Sequence, residues 1–197
     1  YEIITDNERI FCSKVVSTIP AYALKNIIGD KQTISMLDQI NYSPVDVFHF
    51  GFRKKNIKNQ KQGFGVLTKP SDNKNFLGIL FSSRTFKHIA PDDSELFTVL
   101  VGGERQKELC KLPIEELEKI ISNEIEELLN HTGEIIFKKN YRWKNGIPQY
   151  NMDHQNILDV IDDFEQSNKF FYILGNFRGG VSVSDCIKNA KKLALKL

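Results

Sequence analysis

Cysteine is scarce in this chain of 197 residues: there are three, Cys12, Cys110 and Cys186, with no close pair and no Cys-x-x-Cys. A scattered odd set supplies neither a disulfide framework nor a zinc ribbon, and it suits a reducing, cytosolic-type compartment. Long apolar runs are missing too. No stretch approaches the ~18 residues that a membrane-spanning helix needs, and no secretory signal is read ahead of the first strand. Neither sign of charge is in excess, with 27 basic against 25 acidic residues. That balance excludes a general nucleic-acid binder, whose basic surplus is large and clustered. The lysine pairs at 54–55, 138–139 and 191–192 read as solvated faces. His49, His88, His131 and His154 show no metal-ligand spacing with each other or with the cysteines, and read as surface or core residues. Ser82-Ser83 and Ser182 lack a Gly-x-Ser-x-Gly elbow, so a serine hydrolase has no support.

What is present begins with a hydrophobic content of 41%, enough for one sizeable core or two small lobes. Residues 1–5 and 10–17 read as extended, with Asp6-Asn7-Glu8 as the turn between them. A short amphipathic helix over 21–28 follows. From 45 to 101 the pattern is strand-like, with alternating segments at 45–52, 64–68, 76–81 and 96–101. Turn clusters at 58–63, 70–75 and 90–94 separate them, which predicts an antiparallel sheet with one covered face. The period then changes. Ile114, Leu117, Ile121, Ile125 and Leu128 fall at helical spacing, with Pro113 in the first turn and Gly133 as the stop. Glu115-Glu116, Glu124 and Glu126-Glu127 decorate its polar side, where Glu115 and Lys119 are spaced to pair. A strand over 134–141, a helix near 155–164, an apolar strand at 170–174 and a closing helix to 197 complete the chain. No internal repeat is visible.

The last of these strands runs into Gly175, Gly179 and Gly180 and then a helix onset at Val181-Ser182-Val183. Such a strand–turn–helix unit aims backbone N–H groups and the positive end of a helix at an anion. Glycines there would let the main chain approach a ligand where a Cβ collides. The same unit also serves as an ordinary connection, and residue types alone leave both readings standing.

The wording of the turn goes further. Gly175-Asn176-Phe177-Arg178-Gly179-Gly180-Val181-Ser182-Val183-Ser184-Asp185-Cys186-Ile187 resembles the C-terminal flavin-contacting segment of protoporphyrinogen oxidases. Tyr141-Arg142-Trp143-Lys144-Asn145-Gly146-Ile147-Pro148-Gln149-Tyr150, followed by His154, is similar to the Trp-x-x-x-Ile-Pro-Gln-Tyr stretch of that family. Weaker similarities lie at 63–67, 77–82 and 101–103, and residues 15–21 resemble a returning strand of the flavin domain.

The resemblance implies an α/β (α+β) chain with FAD as cofactor and a tetrapyrrole as substrate. A mostly antiparallel substrate-lobe sheet with a covering helix is expected over 40–140. The C-terminal part of a Rossmann-like flavin lobe is expected from 1–39 and 141–197. The family places the positions of Gly175, Gly180, Val181, Ser182 and Val183 along the flavin, mostly through main-chain atoms, and that of Trp143 near its ring. A rigid indole wall suits a planar cofactor, although Trp143 also reads as simple core. Phe64, Leu67 and Leu100 match positions lining the tetrapyrrole cavity, where a flat macrocycle needs apolar faces.

There is a departure. The family's Gly-x-Gly-x-x-Gly cradle for the dinucleotide pyrophosphate is absent, since Gly63-Phe64-Gly65-Val66-Leu67-Thr68 ends in Thr and lies between strands. The chain therefore reads as a C-terminal portion with an incomplete FAD site. No catalytic base is named within it, and any membrane contact is expected only through segments outside it. The implied whole protein is a cytoplasmic or membrane-associated FAD-dependent oxidase. It would convert protoporphyrinogen IX to protoporphyrin IX for haem biosynthesis, with dioxygen as acceptor. Alternatives are a coproporphyrinogen oxidase, an enzyme of the carotenoid desaturase type, or a non-catalytic binding module. Without the rest of a flavin lobe, Trp143 and Phe171 are expected to face solvent, favouring a homodimer or loosened ends.

Overall fold

The computed structural model describes residues 1–59 and 62–197. In chain order its elements are β1 (Glu2–Ile4), β2 (Arg9–Phe11), β3 (Val15–Ser17), α1 (Ala21–Leu24) and α2 (Lys31–Leu37), then β4 (Tyr42–Arg53), β5 (Gly65–Leu67), β6 (Gly78–Leu80), α3 (Ser82–Thr85) and β7 (Ser94–Gly102), and last α4 (Ile114–Leu129), β8 (Phe137–Pro148), α5 (His154–Ser167), β9 (Phe171–Ile173) and α6 (Val183–Ala194). They fall into two units. The first comprises Tyr1–Asn41 with Pro148–Leu197, and the second Tyr42–Ile147. Among the described residues no helix is long and apolar enough to cross a membrane.

The second unit is built on a five-stranded sheet in the order β5-β6-β7-β4-β8. The pairs β5–β6, β6–β7 and β4–β7 are antiparallel. So is β4–β8, because Gly51 of β4 approaches Phe137 at one end of β8 and Ser43 and Val45 approach Gly146 near the other. Period-two alternation decides which side is covered. Phe48, Phe50 and Phe52 of β4 and Phe97, Val99 and Val101 of β7 are buried against Leu117, Ile121, Ile125 and Leu129 of α4. Each such side chain contributes roughly 1.5–3 kcal/mol by leaving water, so this one layer carries the unit. One covered face is what the alternation and the helical spacing predict.

Several details differ from the sequence reading. Asn130, not Gly133, stops α4: it adopts the left-handed conformation with φ 46°, which Asn tolerates better than most residues. Pro113 stands just ahead of the first helical turn rather than in it. The acids of α4 pair off the helix, Glu118 with Lys138 at 3.3 Å and Glu127 with Lys74 at 3.2 Å, rather than Glu115 with Lys119. The strand expected over 134–141 begins at Phe137 and runs on to Pro148, so Tyr141 to Ile147 belong to the sheet. The turn cluster at 58–63 includes Gln60 and Lys61, which lie outside the described residues.

In the first unit β1 and β2 form the expected hairpin, and β3 pairs with β9 in parallel. The helix expected over 21–28 is a single turn. A further helix, α2, was not read from the sequence, although Asp30 caps it by accepting the amide of Thr33 at 2.7 Å. Phe171 does not face solvent as expected. The rings of Tyr1 and Phe164 meet it edge-on with centroids 5.7 and 5.4 Å away, which removes most of its apolar surface from water.

Candidate functional site

In the first unit, β3 and β9 both lead at their carboxyl ends into a turn and a helix. A cavity of about 540 Å³ opens there, lined by Ile19 and Pro20 after β3, Leu174 to Asn176 after β9, and Cys186, Ile187 and Ala190 on α6. Ligands of open α/β sheets bind in such a crevice beyond the carboxyl ends of parallel strands.

The glycine turn beside it is held by its own chain. The Tyr150 hydroxyl donates to Asn176 O and accepts from Gly180 N, both at 3.0 Å. Burial pushes the Tyr150 phenol up, so it stays protonated and keeps donating. Its ring stacks on His154, centroids 4.1 Å apart, and His154 Nε2 donates to Phe177 O at 2.8 Å. Asn189 Nδ2 reaches Arg178 O and Gly179 O at 3.2 Å. Arg178 folds back onto Ile173 O at 2.8 Å, Glu165 at 2.6 Å, and Asp162.

A Cβ at Gly175 would strike the Phe177 ring, one at Gly179 the Asn189 amide, and one at Gly180 the Asp185 carboxylate. Internal packing therefore already requires all three glycines, and Gly180 also needs its φ of 121°. At the start of α6, Ser182 Oγ accepts Asp185 N at 3.0 Å and donates to the Asp185 carboxylate at 2.6 Å. An acid of the chain itself thus occupies the positive helix end.

The second unit carries the other residues singled out from the sequence. Leu67 pairs with Gly78, Gly78 with Leu100, and Leu100 with Val47, so the four form one row across the sheet. Leu100 alternates with the buried Val99 and Val101, which puts this row on the face opposite α4. Leu67 is 85% exposed, and it leans over Gly78, whose missing side chain leaves the room. Trp143 joins the same face. Tyr141 sets its ring against His49 while Arg142 turns the other way to Asp46, so Trp143, two residues beyond Tyr141, shares the His49 side. It is 58% exposed. Phe64 immediately precedes β5, 65% exposed, with its carbonyl accepting Phe81 N at 2.9 Å. The sheet therefore gathers Leu67, Leu100 and Trp143 on the face opposite α4, while Gly175, Gly180, Val181, Ser182 and Val183 lie in the first unit.

The sequence profile of the flavin-containing amine oxidoreductases matches residues 3–191. The chain belongs to this family. It is 33% identical to protoporphyrinogen oxidase 2, chloroplastic/mitochondrial, of Arabidopsis thaliana over 91% of its own length and 37% of that protein's. It is 22% identical to coproporphyrinogen III oxidase of Bacillus subtilis, over 97% of the chain and 41% of the relative. A crystal structure from Exiguobacterium sp. 255-15, provisionally assigned as a protoporphyrinogen oxidase, superposes on 98% of this chain and 42% of its own, with a TM-score of 0.78 and 20% identity. The chain thus spans well under half the length of these relatives. The mixed α and β fold, combining antiparallel sheet with a parallel strand pair, is that of the family.

Sequence reasoning missed the clamp of Tyr150, His154, Arg178 and Asn189 around the turn. Tyr150 lies in the loop ahead of α5, so no helical spacing marks its stacking on His154 in the sequence.

Proposed function

We propose that the full-length protein oxidises a porphyrinogen to a porphyrin, with FAD held in part by the first unit and the tetrapyrrole received on the outer face of the sheet. The observation that carries this is the row of Leu67 and Leu100 with Trp143 beside it. Leu67 and Trp143 are exposed and Leu100 is half-buried, all on the side of the sheet opposite α4. A flat macrocycle buries such a surface well.

The cavity beyond β3 and β9 fits a flavin on its own terms. Its walls are mostly apolar, with Ile19, Pro20, Leu174, Ile187 and Ala190 beside the polar side chains of Asn176 and Asn189. When bound, a flavin supplies acceptance of a hydride. The chain's residues position the ligand, keep water out, and hold the turn in one geometry through Tyr150 and Asn189. The pyrophosphate is left to residues outside this sequence, since it contains no Gly-x-Gly-x-x-Gly. Dioxygen is the natural final acceptor for such an oxidase.

The outer face is chiefly apolar, which favours protoporphyrinogen over coproporphyrinogen with its two additional carboxylates. The test is aerobic turnover of both porphyrinogens by the full-length protein, read by porphyrin fluorescence. Faster turnover of protoporphyrinogen is expected, and turnover of neither substrate by a flavin-loaded preparation contradicts the reading.

A further inference from the structure

The sheet face that carries Leu67 and Leu100 is not purely apolar. One row along from them, Gly65, Leu80, Thr98 and His49 pair in register across β5, β6, β7 and β4. His49 Nδ1 lies 2.9 Å from Thr98 Oγ1, and Thr98 Oγ1 lies 2.7 Å from Ser82 Oγ. Ser82 Oγ in turn reaches the Leu80 carbonyl at 3.5 Å. A carbonyl only accepts, so the chain has a direction. Ser82 donates to Leu80 O, Thr98 donates to Ser82, and the imidazole donates from Nδ1 to Thr98. Nε2 is then the unprotonated nitrogen, and among the described residues it has no hydrogen-bond partner. Hydroxyl and imidazole protons are assigned here by this network.

From these positions the geometry points to His49 Nε2 as the acceptor of a pyrrole N–H proton from the tetrapyrrole, an inference that rests on the porphyrinogen reading above. A hydride leaves the methylene bridge with its electron pair for the oxidant, an oxidised flavin by class. The ring nitrogen's N–H bond then breaks, its electron pair closes the new double bond of the conjugated ring, and the proton sits on Nε2 until it passes to solvent.

The surroundings keep the imidazole neutral. Burial pushes its pKa below the ordinary 6.5. On the elements around it, Asp46 pairs with Arg142, Arg53 with Asp93, Glu95 with Arg84 and Lys138 with Glu118. Lys144 alternates to the α4 side of β8. Lys139 lies over the Tyr141 ring that abuts His49, 5.7 Å from its centroid.

The test uses the full-length, flavin-loaded protein and its His49→Gln variant. Gln keeps a hydrogen-bond acceptor but takes no proton at neutral pH. The wild-type rate should hold through neutrality and fall only as pH drops below 6.5. In His49→Gln, kcat should drop about 100-fold, with KM and the acid limb respectively unchanged and lost. Protoporphyrin IX binding, followed by its Soret band, should stay within about twofold, because only proton transfer has been removed. Nitrogen-15 spectra of the wild type should show the proton on Nδ1. An unaltered kcat and pH profile in His49→Gln, or a proton on Nε2 in the wild type, overturns this inference while leaving porphyrinogen oxidation standing. A wild type that neither binds protoporphyrin IX nor oxidises a porphyrinogen overturns both.

Discussion

Asp46 is wholly buried, and a lone carboxylate there would be very costly to remove from water. Arg142 answers it with two nitrogens, Nε at 2.8 Å and Nη2 at 2.8 Å, and its Nη1 ties to Leu112 O at 2.9 Å. Cys110 lies in the same setting. Burial, reinforced by the Asp46 charge, pushes its thiol up to about 11, so it stays protonated and unreactive at neutral pH. Asp46→Ala should therefore lower the unfolding free energy of the sheet unit by about 3–5 kcal/mol in urea titrations, because the guanidinium loses its partner. A loss under about 1 kcal/mol would show that water replaces the carboxylate. Half of this arrangement was legible. In Val45-Asp46-Val47-Phe48-His49-Phe50, Asp46 falls in phase with the buried phenylalanines, so alternation alone puts it on the core side. Its partner lies 96 residues away, and no local pattern reaches that far.

At the scale of elements, strong periodicity was readable and chain ends were not. The apolar spacing of α4 and the alternation of β4 and β7 hold because one face of each meets the same core. The stop of α4 went to Asn130 instead of Gly133 because the helix ends where tertiary packing ends it, and Asn tolerates the left-handed geometry there. Helix α2 escaped notice because seven residues give too short a stripe for a period to show. The parallel pairing of β3 with β9 joins strands from the two ends of the chain, and the sequence reading did not contain it. The turn after β9 gives the sharpest prediction at this scale. Tyr150→Phe keeps the stacked ring but removes the hydroxyl that links Asn176 O to Gly180 N. FAD binding by the full-length protein should weaken about tenfold, corresponding to roughly 1.4 kcal/mol of lost turn order. Equal FAD affinity in fluorescence titrations would mean that the turn is fixed by His154, Arg178 and Asn189 without it.

For the molecule as a whole, family membership rests on the profile match over residues 3–191 together with a fold shared at a TM-score of 0.78. The family, the sheet and its covering helix were legible before any coordinates. The use made of the glycines was not, since Phe177, Asn189 and Asp185 of the same chain fill the space that a ligand had been expected to claim. Nor was the polar chain from His49 through Thr98 to Ser82, whose members come from three separate elements.

The most direct test of porphyrinogen oxidation is anaerobic mixing of the flavin-loaded, full-length protein with protoporphyrinogen while the flavin's visible absorption is followed. The account predicts rapid bleaching as the flavin is reduced, with the colour returning when dioxygen is admitted and porphyrin fluorescence appearing. A flavin spectrum unmoved by protoporphyrinogen and by coproporphyrinogen alike would contradict it.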